Sequence, residues 1–254
     1  MKKTAKQIYD SYKIKAALVV LVYIVALAVL FWVTTVNTFL GIALIVILAA
    51  SVRAPFEKLR ETYLENVIFE ELDAKTFNEL AALGAFKGYN RLEILAAMSI
   101  GDYEKILALV EESEKKTNNP VEKCNNLYRK GYVYFERGEF DKLPGIVREY
   151  ESLKRQNPKF GQIFNSFSVF DKFDAFADED YEYVVDVCDI DLAEINPKRQ
   201  NHKLTRINVS FYRAVSLYKM GEIEKAREGF KNIIEFAPGM HKAKLAAEYL
   251  EKMD

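Results

Sequence analysis

Few residues of this chain have the types and spacing that catalysis or metal binding requires. His202 and His241 are the only histidines and lie far apart, so we expect no shared catalytic or metal role. Cys124 and Cys188 lack the spacing of a disulfide framework or a zinc site, and we expect both to be small buried hydrophobic side chains. Phosphate loops, Rossmann glycines, HExxH motifs and nucleophile elbows do not occur. We therefore expect no enzyme activity, cofactor or metal, although acidic residues converging from separate helices would escape such a search.

Two groups of residues could instead bind a partner, and the first is aromatic. Phenylalanines follow one another at three-residue intervals at Phe164, Phe167, Phe170, Phe173 and Phe176. This spacing rotates around a helix of 3.6 residues per turn, so the rings do not form one stripe. They either pack between helices or line a groove that anchors a partner peptide. Phe164, Phe167 and Phe170 are the candidate anchors.

The second group is the densest positive patch, in and after the segment Pro197–Lys203. Its candidate partner-binding residues are Lys198, Arg199, Lys203 and Arg206. A solvated loop between helices explains the patch, and the alternatives are contact with an acidic peptide or with anionic lipid headgroups.

The elements that position these residues repeat along the chain. Four segments align, starting at Ile100, Arg137, Asp178 and Met220, at steps of 37, 41 and 42 residues. One column of the alignment contains Gly101, Gly138, Glu179 and Gly221, and each unit is closed by a proline: Pro120, Pro158, Pro197 or Pro238. An apolar helical segment precedes each turn: Tyr89–Ile100, Val121–Arg137, Phe160–Ala177 and Thr205–Met220. Each unit is therefore predicted to be helix, short turn, helix and proline-marked turn.

The segment Ser210–Pro238 resembles the tetratricopeptide repeat family. The matching positions are Ala214, Leu217, Gly221, Ile223, Ala226, Phe230 and Pro238. Leu127–Pro158 matches next best, whereas Glu179 replaces the turn glycine of the third unit. The resemblance covers residues 89–238 and implies stacked helix pairs whose groove binds a protein or peptide. The carboxylate clamp of chaperone-binding members is not carried over, because its asparagine positions hold Leu95, Tyr132 and Val215.

The stretch Ile14–Ala54 is predicted to be a transmembrane hairpin. Its apolar runs span residues 16–36 and 39–54, and no charged residue lies between Lys15 and Arg53. The first run is long enough to span the hydrocarbon core as a helix, and the second is short. Lysines precede the first run and Arg53, Lys58 and Arg60 follow the second, which predicts both termini in the cytoplasm. The alternatives are a signal peptide, or one span followed by an interfacial segment that exports the remaining chain.

These observations predict an all-α protein with four regions. They are a basic cytoplasmic N-terminus (1–13), the transmembrane hairpin (14–54), juxtamembrane helices (55–87) and a repeat domain (88–254). The repeat domain is expected to be a TPR-like α-solenoid of about four helix pairs with a capping helix at Met240–Met253. Residues 1–52 carry five lysines and one aspartate and the whole chain carries −1, which leaves −5 for residues 53–254 and disfavours nucleic acid as a partner.

The expected function is a membrane-anchored cytoplasmic adaptor or scaffold that binds a partner protein through its helical-repeat groove. The alternative is a structural or assembly subunit of a membrane complex that oligomerises through the hairpin. The lysine-flanked hairpin fits a bacterial plasma membrane, and an endoplasmic reticulum protein would have the same pattern.

Overall fold

The computed structural model describes residues 3–164 and 167–253. The chain is all-α, and no strand occurs among the described residues. It divides into two compact units, Met1–Ala85 and Phe86–Asp254, close to the predicted start of the repeat domain at residue 88.

The first unit begins with a long helix that includes most of the predicted separate N-terminus. Helix α1 spans Ala5–Val36 because Thr4 and Gln7 form a capping box, in which each side chain accepts a hydrogen bond from the other residue's backbone N–H. Helix α2 (Thr38–Ser51) follows after Asn37, whose side chain accepts a hydrogen bond from the backbone N–H of Leu40. The two apolar runs are thus joined by a single non-helical residue.

The chain remains helical well beyond the short second apolar run, although α2 itself ends at Ser51. A bend at Val52 leads into α3 (Arg53–Arg60), a π-helical turn (Glu61–Glu65) and α4 (Asn66–Phe69). The segments Ala5–Val36 and Thr38–Phe69 are each long and apolar enough to cross a membrane, and their most apolar 18-residue stretches are only 0% and 6% buried within the protein. Helix α5 (Ala74–Ala82) ends before Gly84, which has a positive φ of 77° that glycine adopts readily.

The second unit consists of helices joined mainly by short turns. The helices are α6 (Asn90–Ile100), α7 (Tyr103–Lys116), α8 (Pro120–Glu136), α9 (Leu143–Gln156), α10 (Gly161–Phe164), α11 (Val169–Ala177), α12 (Tyr181–Ala193), α13 (His202–Lys219), α14 (Ile223–Phe236) and α15 (His241–Glu251). Apart from the short α10, each packs against the next along the chain, α9 against α11 included. The predicted capping helix is α15.

The aligned turn column adopts one backbone conformation throughout. Gly101, Gly138 and Gly221 have φ of 75°, 71° and 79°, and Glu179 has φ of 59°. Asp102 and Asp180 follow two of these positions, and their side chains accept hydrogen bonds from the first turns of α7 and α12. The column therefore marks the predicted end of the first helix and start of the second.

The phenylalanine-rich segment differs from its prediction, because it is not one helix. A 3₁₀ turn (Pro158–Phe160) and α10 end at Phe164, and α11 begins at Val169. Pro158 starts this shorter arrangement because it cannot continue α9. The rings thus lie on two helices and in the segment between them.

The first and last helices of the second unit meet. Helix α15 packs on α13 and α14 and also contacts α6. The Tyr103 hydroxyl lies 2.7 Å from Nε2 of His241, whose ring touches Gly101. Side chains of α15 therefore contact both ends of this helical unit.

Candidate interaction site

The three candidate phenylalanines occupy different environments. Phe164 and Phe170 are buried, whereas Phe167 is half-buried. The ring of Phe170 stacks on Tyr150 at 3.9 Å, and the Tyr150 hydroxyl donates a hydrogen bond of 2.8 Å to the carbonyl oxygen of Phe164. Phe164 and Phe170 pack in the interior, so only Phe167 is available at the surface.

Phe167 lines an open cavity of about 270 Å³ between α8, α11 and α13, called here the Phe167 cavity. The polar lining includes Asn125, Lys172, Asp191, Thr205 and Asn208, and the aromatic lining includes Tyr128 and Tyr212. Helices α8, α11 and α13 correspond to the apolar helical segments that precede three successive turns of the sequence alignment.

The charges of the Phe167 cavity are paired internally. Nζ of Lys172 lies 2.6 Å from Oδ2 of Asp191 and 3.1 Å from Oγ of Ser168. Lys172 lies on α11, and its side chain is only 3% exposed. The pair therefore fixes α11 against α12 and leaves no free charge on this lysine.

Two asparagines of the cavity occupy one repeat position. Asn125 lies 13 residues before Gly138 (138 − 125), and Asn208 lies 13 residues before Gly221 (221 − 208). Within the described chain, the Asn208 side chain makes no hydrogen bond and that of Asn125 makes one long bond of 3.4 Å to Glu122. Two amide groups on neighbouring walls thus retain donors and acceptors for a bound polar backbone.

The hydroxyl of Tyr212 adds a further unused polar group. It is buried, and it has no hydrogen-bond partner among the described residues. Burial, followed by the charges of Tyr128 and Glu136, raises the pKa of Tyr212 well above its usual value. The group therefore stays a neutral hydroxyl that can donate to an acceptor.

The basic candidates lie on another side of α13. Lys198 and Arg199 are exposed in the loop before α13, while Lys203 and Arg206 are on the helix itself. Arg206 lines a second cavity, of about 410 Å³, between α12, α13 and α14, called here the Arg206 cavity. Arg206 and Phe167 therefore line different cavities, and none of the four basic residues lines the Phe167 cavity.

The Arg206 cavity has an apolar floor and a polar rim. Leu192, Ile207, Ala214 and Ile233 contribute apolar atoms, and Arg213 on the rim binds both oxygens of Asp189 at 2.6 and 3.3 Å. Arg206 has no ion-pair partner in the residues that the structure describes. One of the two rim guanidinium groups is therefore available.

A buried charged cluster that no sequence motif indicates lies where α15 meets α8. Nζ of Lys242 lies 2.5 Å from Oε1 of Glu136, and their side chains are 3% and 0% exposed. The ammonium also lies over the rings of Tyr132, Phe211 and Tyr212 at 4.7, 4.2 and 5.4 Å. No repeat column pairs these two positions, so the sequence contains no signal for the contact.

Burial controls the titration of this cluster. Burial lowers the pKa of Lys242, and the charge of Glu136 opposes that change. Burial and then the charge of Glu136 raise the pKa values of Tyr103 and Tyr132 well above the usual range. The cluster therefore contains one compensated charge pair surrounded by neutral phenols.

The two cysteine thiols, which are the remaining candidate reactive groups, lie in the interior of the protein. Cys124 and Cys188 are both buried, as predicted, and burial raises the pKa of each thiol to about 12. Among the described residues, no group of three or more His, Cys, Asp or Glu could hold a metal ion.

Comparisons with known proteins add no relative. No protein-family model, no curated protein and no solved structure matches the chain.

Proposed function

We propose that this protein is a membrane-anchored cytoplasmic adaptor that binds a segment of a partner protein in the Phe167 cavity. The observation that carries the proposal is that two asparagines at equivalent alignment positions, Asn125 and Asn208, line a cavity together with the half-buried Phe167 ring. Amides hydrogen-bond a peptide backbone without requiring one sequence, and the Phe167 ring supplies an apolar contact. In this proposal, the cavity is part of the partner-binding groove that the resemblance to tetratricopeptide repeats implies.

The two apolar helices support the anchored location. Their length and composition allow both to cross a bilayer, and the flanking lysines and arginines favour a cytoplasmic location for both termini. We place the protein in a bacterial plasma membrane on the basis of this hairpin. Tethering raises the local concentration of the repeat domain, so a small cavity of modest affinity suffices for a partner at the same membrane.

The competing proposal is a structural or assembly subunit that acts through the hairpin. It is favoured by the many large apolar side chains that α1 and α2 leave exposed, such as Leu21, Phe31, Trp32 and Ile47. Replacing α1 and α2 by an unrelated two-span anchor separates the two proposals. The adaptor keeps its partner after the replacement, whereas the structural subunit loses its assembly.

A photo-crosslinking amino acid at position 167 tests the adaptor in intact membranes. We expect one reproducible protein adduct, reduced by Asn208→Ala and by Asn125→Ala because each removes a backbone-binding amide. The same crosslinker at the exposed position of Lys105, on α7, is the matched control. Repeated absence of a specific adduct at position 167, or adducts identical to those from position 105, would contradict the proposal.

A further inference from the structure

The Arg206 cavity lies where α13 packs between α12 and α14. Arg206, Ser210 and Arg213 follow one another at intervals of four and three residues, which places them on one side of α13. The lining extends along α13 from Arg206 to Ala214, a distance of about 12 Å on the helix axis. Its volume of about 410 Å³ falls within the range of small-molecule sites, about 300–1,000 Å³.

The apolar part of this cavity is not filled by a side chain of its own walls. Gly229 and Ala214 both line it, and a Cβ built at Gly229 would lie only 3.1 Å from the Cβ of Ala214. These small residues therefore bring α13 and α14 close together beneath the opening. Phe236, on the rim, is 45% exposed. A bound hydrocarbon or aromatic group can cover this surface and remove it from water.

The polar side chains that remain unused at the cavity are hydrogen-bond donors. In the described part of the chain, the side chains of Arg206, Ser210 and Asn232 make no hydrogen bond or ion pair. Asp189 is the only carboxylate among the described lining residues, and Arg213 occupies both of its oxygens. Two arginines and one aspartate give the lining a net charge of +1 (2 − 1). A singly charged anion therefore complements it.

We propose that the Arg206 cavity binds a small-molecule monocarboxylate with a short hydrocarbon or arylalkyl body. The carboxylate lies against the guanidinium of Arg206, whose planar fork matches two carboxylate oxygens. Ser210 and Asn232 supply further donors, and the body of the ligand covers the exposed ring of Phe236. This site is separate from the Phe167 cavity and does not depend on the adaptor proposal.

The donors and the dimensions of the cavity select this ligand over other anions. The end of a peptide brings backbone N–H groups that require acceptors, whereas the carboxylate of Asp189 is already paired. A phosphate monoester carries about −1.5 to −2 charges near neutral pH, which exceeds the +1 of the lining. A membrane phospholipid has two acyl chains that each reach about 15 Å, half the hydrocarbon core, and these exceed the length of the cavity.

Binding of phenylbutyrate to the full-length chain in neutral detergent micelles tests the proposal. Saturation-transfer nuclear magnetic resonance compares it with phenylbutanamide, which has the same body and no charge. We expect the wild-type chain to bind the carboxylate at least about tenfold more tightly than the amide, because only the carboxylate forms a charge-assisted contact. This comparison requires no variant.

Arg206→Gln is expected to weaken binding of the carboxylate at least about tenfold and to leave binding of the amide unchanged. Arg206 is exposed and unpaired in the described chain, so circular dichroism of the variant should match wild type. Lys105→Gln, the matched loss of an exposed positive charge on α7, leaves both ligands unaffected. Phe236→Ala weakens both ligands alike, because each loses its contact with the ring.

Several results would overturn the proposal. One is equal affinity of the wild-type chain for the carboxylate and the amide, or no binding of the carboxylate at all. Another is a carboxylate affinity that Arg206→Gln leaves unchanged, or that Lys105→Gln lowers equally. If the peptide acid N-acetylglycylphenylalanine binds as tightly as phenylbutyrate, the occupant is the end of a protein chain instead. If phenylethyl phosphate binds more tightly, the occupant is a phosphate ester.

Discussion

At the residue scale, the four aligned turns share a backbone conformation that only three of them accommodate easily. Gly101, Gly138 and Gly221 have no Cβ to clash in the left-handed region, whereas Glu179 adopts it with a full side chain. The left-handed conformation costs an L-residue about 1–2 kcal/mol, and glycine loses about 0.5–1 kcal/mol more backbone entropy on folding. The energy of the left-handed conformation at Glu179 exceeds the extra backbone entropy that a glycine would lose there. Glu179 therefore makes the folded state less stable than glycine would at this position.

Glu179→Gly is therefore expected to stabilise the protein by about 0.5–1 kcal/mol. Gly138→Ala is the matched opposite change, because a Cβ at Gly138 meets no atom within 4 Å and only the backbone is strained. We expect it to destabilise by a similar amount. Thermal unfolding of the full chain in detergent, followed by circular dichroism, measures both. A lower midpoint for Glu179→Gly would contradict this account.

Glu136 and Lys242 illustrate how a buried pair differs from a surface pair. Each charge has left water, and the other charge is its main compensation. Removing one partner leaves an uncompensated buried charge, which costs more than the pair itself contributes. Removing both eliminates the desolvation cost together with the attraction.

Glu136→Gln and Lys242→Met are each expected to destabilise the protein by about 3–5 kcal/mol. The double variant is expected to recover most of that loss, because neither charge remains. Denaturant unfolding of the four chains forms a double-mutant cycle. Additive losses in the double variant would show that the two side chains act independently.

At the element scale, helices α8 and α11 approach closely because of one glycine. A Cβ at Gly131 would overlap the ring of Phe173, while Gly145 in α9 has no neighbouring atom within 4 Å. Substituting alanine at both Gly131 and Gly145 therefore separates the cost of overpacking, which only Gly131 has, from the gain in helix propensity, which both have.

Gly131→Ala is expected to destabilise the protein by about 1–3 kcal/mol, because overpacking exceeds the gain of up to about 1 kcal/mol from helix propensity. Gly145→Ala, the control, is expected to be neutral or stabilising by up to about 1 kcal/mol. Urea unfolding monitored by circular dichroism compares the two. Equal effects at both glycines would indicate that the α8–α11 contact carries no strain.

Local signals predicted the elements better than the contacts between them. The turn column and Asp102 and Asp180 place the helix ends near their observed positions, because a left-handed turn and an N-cap each act within a few residues. The Thr4–Gln7 capping box is equally local and would have extended α1 to Ala5. Burial of Phe164 and Phe170 depends on Tyr150 and on neighbouring helices, so three-residue spacing could not decide which ring faces the surface. Asn125 and Asn208 were recoverable from the repeat alignment, whereas the Glu136–Lys242 contact was not.

At the scale of the whole molecule, the location of the second unit depends on the two apolar helices. If α1 and α2 both cross the bilayer, the two termini lie on one side. Gly41 packs directly against Thr34, which brings the two helices close together near the Asn37 turn. We expect this hairpin to insert as one element with its turn outside the cell.

A reporter fused after Asp254 is therefore expected to remain cytoplasmic, with green fluorescent protein fluorescent there and alkaline phosphatase inactive. The matched fusion inserts alkaline phosphatase at Asn37, where export makes it active. Active phosphatase after Asp254 would show that only one segment crosses and that residues 86–254 are exported.

The contact between Tyr103 and His241 joins residues 138 positions apart. It can therefore form only after most of the chain has been synthesised. An open stack of repeats can form its core as each unit leaves the ribosome. Here Gly101, Tyr103 and Glu136 gain their partners only after α15 has been translated, long after α1 and α2 have emerged. A ribosome that stalls before His241 leaves a chain whose second unit lacks its final contacts. If α1 and α2 anchor the chain as proposed, quality control of such chains takes place at the membrane.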